Sequence, residues 1–528
     1  MPIFVESCFD ALCNHRKIRD DILSSLVFSS ISQLTRKLTF RRGNQLVKQK
    51  SLAHNFIVYC VRILFTGLTP LLIFPYASHM LGVTGIGQVS YAQSIATYFE
   101  QLAVLGMNYY AVREGAKCRE DSRKFGKLVT ELLLVNTITT AISASIYIVA
   151  VCSVTQLQPY RVLLLLFSLE VIAKGLGLDW FYNTVEDYDY ITKRTILFQI
   201  VDVAVLLLFV RTERDVIAYA IVLFLPFLLT SLTNLRNMSN RVALFGYGKY
   251  SLWKHFVGSA RVFVVIVSTM VYTLMDTTML GYMQGDYSVG LYTSASKLAK
   301  MCVQLITAMC AVFLPRLAVC RANEETEKFQ DLSTTAFNVI LGLAIPATVG
   351  MYMLSEPFIL IFSGRDFIEA VPAMKVLSYD FIFSAINGFL AWQVMIPYNQ
   401  EKSLLSATIL GALLDFILNF MWIPHYAEQG AAWATLLAEA VIFILLVFKS
   451  QRYVPFERLT KVVWQYVVAS VPIVGICWGA KQIFNSVFAQ VGVAAVISVG
   501  VYAVILYLIK NEIIREYTKI LLEKVKKS

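Results

Sequence analysis

The chain has 528 residues, of which 57% are hydrophobic and 15% charged, with a mean hydropathy of +0.63. That balance excludes an array of soluble domains and makes lipid the solvent. The net charge is +11 and the pI about 9.1, yet no basic stripe with interleaved aromatics occurs on a soluble segment, which argues against a nucleic-acid partner, and nine cysteines without a C-x-x-C pair suggest neither a disulfide framework nor a zinc site.

Residues 1–54 form a basic extension carrying Arg16, Lys17, Arg19, Arg36, Lys37, Arg41, Arg42, Lys48 and Lys50. Its best apolar run, Ile22 to Ile31, is too short to span a bilayer, and it lacks the layout of a signal peptide. It reads as a surface-lying cytoplasmic segment, with a disordered tail or an early start codon as the alternatives. From there, windows of roughly 20 apolar residues recur almost without pause. They fall near 56–80, 88–107, 128–152, 162–181, 195–210, 216–234, 256–283, 290–315, 334–354, 376–397, 404–423, 430–448, 462–480 and 491–509. The expected protein is therefore an all-α, polytopic membrane protein of about 14 transmembrane helices.

With the N-terminus in the cytoplasm, 35 of the 46 lysines and arginines fall in inside segments and six in outside ones. The positive-inside rule then puts both termini in the cytoplasm. An internal repeat supports the layout: Arg62, Leu81-Gly82, Gly87 and Ala92 match Arg261, Leu280-Gly281, Gly290 and Ala295, at an offset of 199 residues for the first three and 203 for the last two. Twelve helices then divide into two pseudo-symmetric six-helix bundles, 55–234 and 256–448, joined by a cytoplasmic linker at 235–255. An extra helix pair at 449–510 and a basic cytoplasmic tail at 511–528 complete the chain.

Six blocks, in order, resemble the Wzx-type oligosaccharide flippases, within the superfamily that also holds the multidrug (MATE) exporters and the lipid II flippase. They are Phe74 to Phe99, Leu105 to Lys117, Gly175 to Ile200, Met275 to Leu298, Glu356 to Ser378 and Glu401 to Glu439. The resemblance implies a V-shaped pair of bundles around a central cavity in the inner membrane, flipping an undecaprenyl-pyrophosphate-linked oligosaccharide (an O-antigen, capsule or exopolysaccharide repeat unit) to the periplasmic leaflet. It implies membrane lipids, a polysaccharide polymerase and chain-length machinery as partners, and a use for the last two helices in sheltering a polyprenyl tail. The long N-terminal extension departs from the family pattern.

No catalytic signature occurs, so the chain reads as a transporter and not an enzyme, with no cofactor; lacking a nucleotide site, it draws on a gradient of H+ or Na+ or on substrate supply. Charges inside spans are the informative residues, because each costs at least about 2.5–3.5 kcal/mol unless a partner or water is present. Arg62 and Arg261 occupy equal depth in the two repeats and suit bidentate binding of a pyrophosphate, or else snorkel to the headgroups. Lys297 and Lys300 share a helix face and would pass the anion outward; Asp276 lies level with Lys297, which predicts an ion pair. Glu170 and Lys174, spaced i, i+4, predict local neutralisation, and Glu100, Asp380 and Asp415 are candidates for ion coupling. A MATE-like drug or cation antiporter is the alternative on the same fold, and a membrane glycan polymerase or glycosyltransferase the alternative of another class. A large catalytic external loop, which the latter would need, is missing from the pattern.

Overall fold

A computed structural model describes residues 52–310, 313–456 and 460–511. The basic extension up to residue 51 and the tail from residue 512 lie outside the described residues, which are helical throughout, apart from turns and short connections.

The helices break where backbone chemistry requires it. α1 (Leu52–Val104) bends into two arms at Gly82, whose φ of 67° and ψ of −176° suit a residue without Cβ. α2 (Met107–Ala116) starts after Gly106, also at positive φ. α3 (Ser122–Ser153) is capped by Asp121, whose carboxylate accepts the backbone N–H of Arg123 and of Lys124, each at 3.1 Å. α4 (Arg161–Gly175), the short α5 (Asp179–Thr184), α6 (Tyr188–Phe209) and α7 (Val216–Arg241) complete the first half. α8 (Leu252–Gln284) and α9 (Asp286–Cys310) are separated only by Gly285, at φ 83° and ψ −173°. There follow α10 (Leu314–Ala322), α11 (Thr326–Met353), α12 (Ser355–Phe362), α13 (Val371–Phe389) with a π-turn over Leu390–Met395, and α14 (Glu401–Ser450). Pro424 withholds a helical N–H and α14 bends just beyond it, at Ala427. α15 (Thr460–Ile483) and α16 (Val487–Leu508) are last.

Each half is tied internally by side-chain to backbone bonds between neighbouring helices. In the first, Thr139 Oγ1 donates to the Ala103 carbonyl at 2.8 Å, Ser143 Oγ to Phe99 at 2.6 Å, and Tyr147 OH to Leu164 at 2.8 Å. In the second, the Asn387 amide of α13 donates to both the backbone and the carboxylate of Glu439 in α14. The pair α15–α16 leans on α11, where Tyr502 OH donates to the Gly342 carbonyl at 2.9 Å. Phe448, Phe488, Val496 and Val499 are each at least 70% exposed, an arrangement that only a lipid solvent makes favourable. Among the described residues, six helices (α3, α7, α11, α14, α15, α16) are long and apolar enough to cross a membrane by length and composition alone. The chain is a polytopic helical membrane protein.

The backbone refines the repeat. Gly82 and Gly285 share one unusual conformation, so they are the corresponding residues, 203 apart, and the expected match of Gly82 to Gly281 is displaced by four. Gly281 has another task, since the Tyr91 ring lies directly on it. The 203-residue offset also relates the contact between the halves. A Cβ on Gly87 would lie 1.8 Å from the Asp286 carbonyl oxygen, and one on Gly290 would lie 2.1 Å from that of Val83. Each half thus places a glycine on the other's backbone, at equivalent positions.

Candidate functional site

Charged residues of the first half meet in one triad. Lys174 Nζ of α4 lies 2.7 Å from Glu100 Oε2 of α1 and 2.7 Å from Glu170 Oε1 one turn earlier, and 4.2 Å over the Phe227 ring of α7. The expected Glu170–Lys174 pair is present, with Glu100 as a third member. Both carboxylates are buried, at 1% and 0% exposure, and Glu100 Oε1 and Glu170 Oε2 meet no hydrogen-bond donor among the described residues. Two carboxylates against one ammonium leave an excess of negative charge in an apolar wall.

The second half builds a larger oxygen cluster from α8, α9 and both arms of α14. Asp276 Oδ1 accepts from Asn419 Nδ2 at 2.7 Å; its Oδ2 accepts from Thr435 Oγ1 at 2.9 Å and from Tyr292 OH. Asp415 stands beside Asp276. Asp415 is 1% exposed and Asn419 0%, yet both Asp415 oxygens and Asn419 Oδ1 lack a partner among the described residues. Asp415 and Asn419 are one turn apart on α14, and carboxylate and amide oxygens are the ligand type that hard cations prefer. Asp380 lies next to this cluster, flanked by Glu439, Lys300 and Asp276, and accepts from Ser384 Oγ at 3.1 Å. Among the described residues no three His, Cys, Asp or Glu side chains group as a metal site; the cluster combines the carboxylates Asp276 and Asp415 with the neutral Asn419, Thr435 and Tyr292.

The expected Asp276–Lys297 ion pair does not form. Asp276 is turned toward α14, whereas Lys297 points to the first half and sits 4.4 Å over the Phe74 ring of α1. Equal depth fixes level but not azimuth on a helix. No carboxylate pairs with Lys297 among the described residues. Lys300 is exposed and its Nζ donates to the Thr273 carbonyl at 3.4 Å. Arg62 is half-buried on the first arm of α1, and Arg261 is exposed on α8.

The seam between the halves is asymmetric. On one side α8 runs antiparallel to the second arm of α1 over its whole length: Tyr91 covers Gly281, and Thr278 Oγ1 meets Ser94 Oγ and Tyr98 OH. Further along, a crevice of about 240 Å³ is lined by Tyr98, Phe99, Leu102, Phe263, Val267 and Met270. On the other side α9 meets α1 through Lys297–Phe74 and the glycine contact, while beyond them Phe65, Leu68, Leu72, Lys300 and Leu305 are exposed. Lys300 thus stands on the exposed surface one turn beyond the α1–α9 contact.

A family model described as polysaccharide biosynthesis protein matches residues 52–320, half of the chain. The chain belongs to the polysaccharide biosynthesis protein family. The matched region takes in the first half together with α8 and α9, the elements that form the seam. A relative from Shigella dysenteriae, described as an O-antigen transporter, is 21% identical over 75% of this chain and 98% of its own length. Another so described, from Escherichia coli K12, is 24% identical over 75% and 96%. Among solved structures, a lipid II flippase, MurJ, in an inward closed conformation superposes with a TM-score of 0.72, over 88% of this chain and 100% of that one, at 15% identity. An inward-facing MATE multidrug transporter superposes with a TM-score of 0.58, over 76% and 99%, at 14% identity. These last two likenesses concern the fold.

A search for charged residues in spans finds Asp276, Asp415 and the triad but passes over Tyr292, Asn419, Thr435 and Asn387, which are neutral. The spacing Asp415–Asn419, i to i+4 on one helix face, was the available signal. It also finds Glu131 as a charge in a span but passes over its partner His255 and over Tyr110, which meet it near the start of α8.

Proposed function

We propose that this protein flips an undecaprenyl-pyrophosphate-linked oligosaccharide from the cytoplasmic to the periplasmic leaflet of the inner membrane by alternating access. It does so with fourteen spans and both termini cytoplasmic. The observation that carries the reading is Lys297: a cation in a span, held against the Phe74 ring where α9 meets α1, with no carboxylate partner among the described residues. A half-buried cation within a span that stays uncompensated is costly, and a pyrophosphate is a ligand that would compensate it. Lys300 stands one turn away, and Arg62 and Arg261 would meet the headgroup nearer the cytoplasm. The relatives described as O-antigen transporters and the lipid II flippase fold support the same class.

The cluster around Asp276 supplies the coupling. A cation, Na+ by its oxygen set, would bind Asp276, Asp415, Asn419 and Thr435 as co-transported cargo, and the Glu100–Lys174–Glu170 triad would respond to H+. The lipid-linked glycan remains chemically unchanged, so no bond-making residue is called for.

The test is surface display of the polysaccharide in cells that depend on this protein. Deleting the gene should abolish display and restoring it should recover it. Lys297→Ala should lower display at least about tenfold at unchanged membrane level, the size of one lost charge-assisted contact, while Lys297→Arg should retain most of it. Normal display from Lys297→Ala would remove Lys297 from the substrate path; normal display after gene deletion would overturn the function.

A further inference from the structure

We infer that Glu131, His255 and Tyr110 form a cytoplasmic latch, which clasps the start of α8 onto the first half and has to release before the seam opens toward the cytoplasm. The inference rests on the alternating-access reading and adds the device that gates it.

α8 is built into both halves. Near its far end, Asp276 is bound by α14 and α9 of the second half. Its first turns sit on the first half instead, where Leu252, Phe256 and Val262 pack against a cluster that includes Met107, Phe125 and Phe181. At 1.5 Å per residue, His255 and Asp276 lie about 30 Å apart on one rod. Separating the halves at the cytoplasmic end therefore means detaching the start of α8 or bending the helix.

Three polar bonds hold that start in place. The Ser251 N–H donates to Glu131 Oε1 at 2.7 Å, His255 Nε2 meets Glu131 Oε2 at 3.0 Å, and His255 Nδ1 meets Tyr110 OH at 2.9 Å. The three side chains are buried. A neutral imidazole satisfies them all, donating from Nε2 to the carboxylate and accepting the tyrosine proton at Nδ1. The partners come from α2 and α3, so one residue of α8 is gripped by two elements of the other half.

Close backbone approach makes the grip all-or-none. A Cβ on Gly258 would lie 2.3 Å from the Tyr110 ring, and one on Gly106 would lie 2.8 Å from the Phe263 nitrogen and 2.9 Å from the Ser259 carbonyl oxygen. Surfaces this tight separate in one step and do not slide. The neighbouring part of the seam is the largely apolar crevice of Tyr98, Phe99, Leu102, Phe263, Val267 and Met270, whose polar contact is the Tyr98 hydroxyl with Thr278 Oγ1 at 3.4 Å. Hydrogen bonds that water can replace once the mouth opens suit a contact that must be made and broken repeatedly.

Reactivity of a single thiol tests the latch. In a cysteine-free background, Met270→Cys is placed in the crevice and labelled in inside-out vesicles with a membrane-impermeant maleimide. With the latch intact labelling should be slow. His255→Ala, Tyr110→Phe and Gly258→Leu should each speed it about fivefold or more, the shift produced by losing one net hydrogen bond. In the opposite direction, a Tyr110→Cys, Gly258→Cys pair joined by a short reducible crosslinker should stop glycan display, and reduction should restore it. The labelling needs no glycan, so it reads the latch even if the transported substrate is another. Labelling unchanged in all three variants, or a crosslinked protein that still flips, would overturn the inference.

Discussion

Asp276 carries more of the second half's polar bonding than any sequence pattern announces, because its partners are neutral. A scan for ionisable groups in spans finds the carboxylates, since their cost in lipid makes them stand out. Tyr292, Asn419 and Thr435 carry no charge and look like ordinary helix surface. The same scan reads the Glu170–Lys174 pair correctly, because i, i+4 neighbours on one helix need no tertiary information. It misassigns Lys297 to Asp276 because it sees depth and not direction. The cluster predicts a cation response: Na+ should raise the unfolding temperature of the purified protein, by linkage worth about 2.7 kcal/mol at a hundredfold excess over Kd. Asp415→Asn should lose that response and keep the fold. Equal stabilisation of both proteins would exclude these oxygens as the site. The triad predicts non-additivity. Lys174→Met strands two buried carboxylates and should cost membrane level heavily, about 3–5 kcal/mol for a broken buried pair, whereas Lys174→Met with Glu170→Gln should recover part of it. A double variant no better than Lys174→Met would show that the ion pair is not what holds these helices.

Helix existence was legible from apolar windows almost everywhere, and helix joints much less so. α1 and α14 each run through two windows with only a bend between them, at Gly82 and Ala427, because a tight turn costs few residues and leaves the apolar pattern unbroken. The repeat is visible in outline, but matching Gly82 to Gly281 places the four extra residues of the second copy after that glycine, whereas the shared conformation of Gly82 and Gly285 places them before it. The corrected register identifies Gly87 and Gly290 as one contact seen from both sides. A methyl group at Gly290 would strike the Val83 carbonyl, which as backbone cannot turn away. Gly290→Ala should therefore lower glycan display several-fold by wedging the seam, with overpacking worth about 1–3 kcal/mol. Gly350→Ala, where no atom lies within 4 Å of the added Cβ, should leave display unchanged. Equal display from the two would mean that the glycine crossing is not maintained in the working protein.

The topology expected from the basic residues is open to direct measurement. A reporter fused after Lys117 or Arg452 should report the cytoplasm, and one after Gly285 the periplasm; a cytoplasmic signal at Gly285 would overturn the helix count. What the residue pattern does not reveal is that the natural division of the chain and the division of its packing differ. By hydropathy the second bundle starts with α8, yet the first turns of α8 form part of the floor of the first. During synthesis, then, the first bundle leaves Met107, Tyr110 and Phe125 uncovered until residues 252–263 have left the ribosome. A gene cut in the loop near Gly248 would give an N-terminal fragment with an exposed apolar floor, a target for membrane quality control. A cut at Gly285 would leave that floor covered, so the fragment ending there should be the longer-lived of the two when each is expressed alone and followed by pulse-chase.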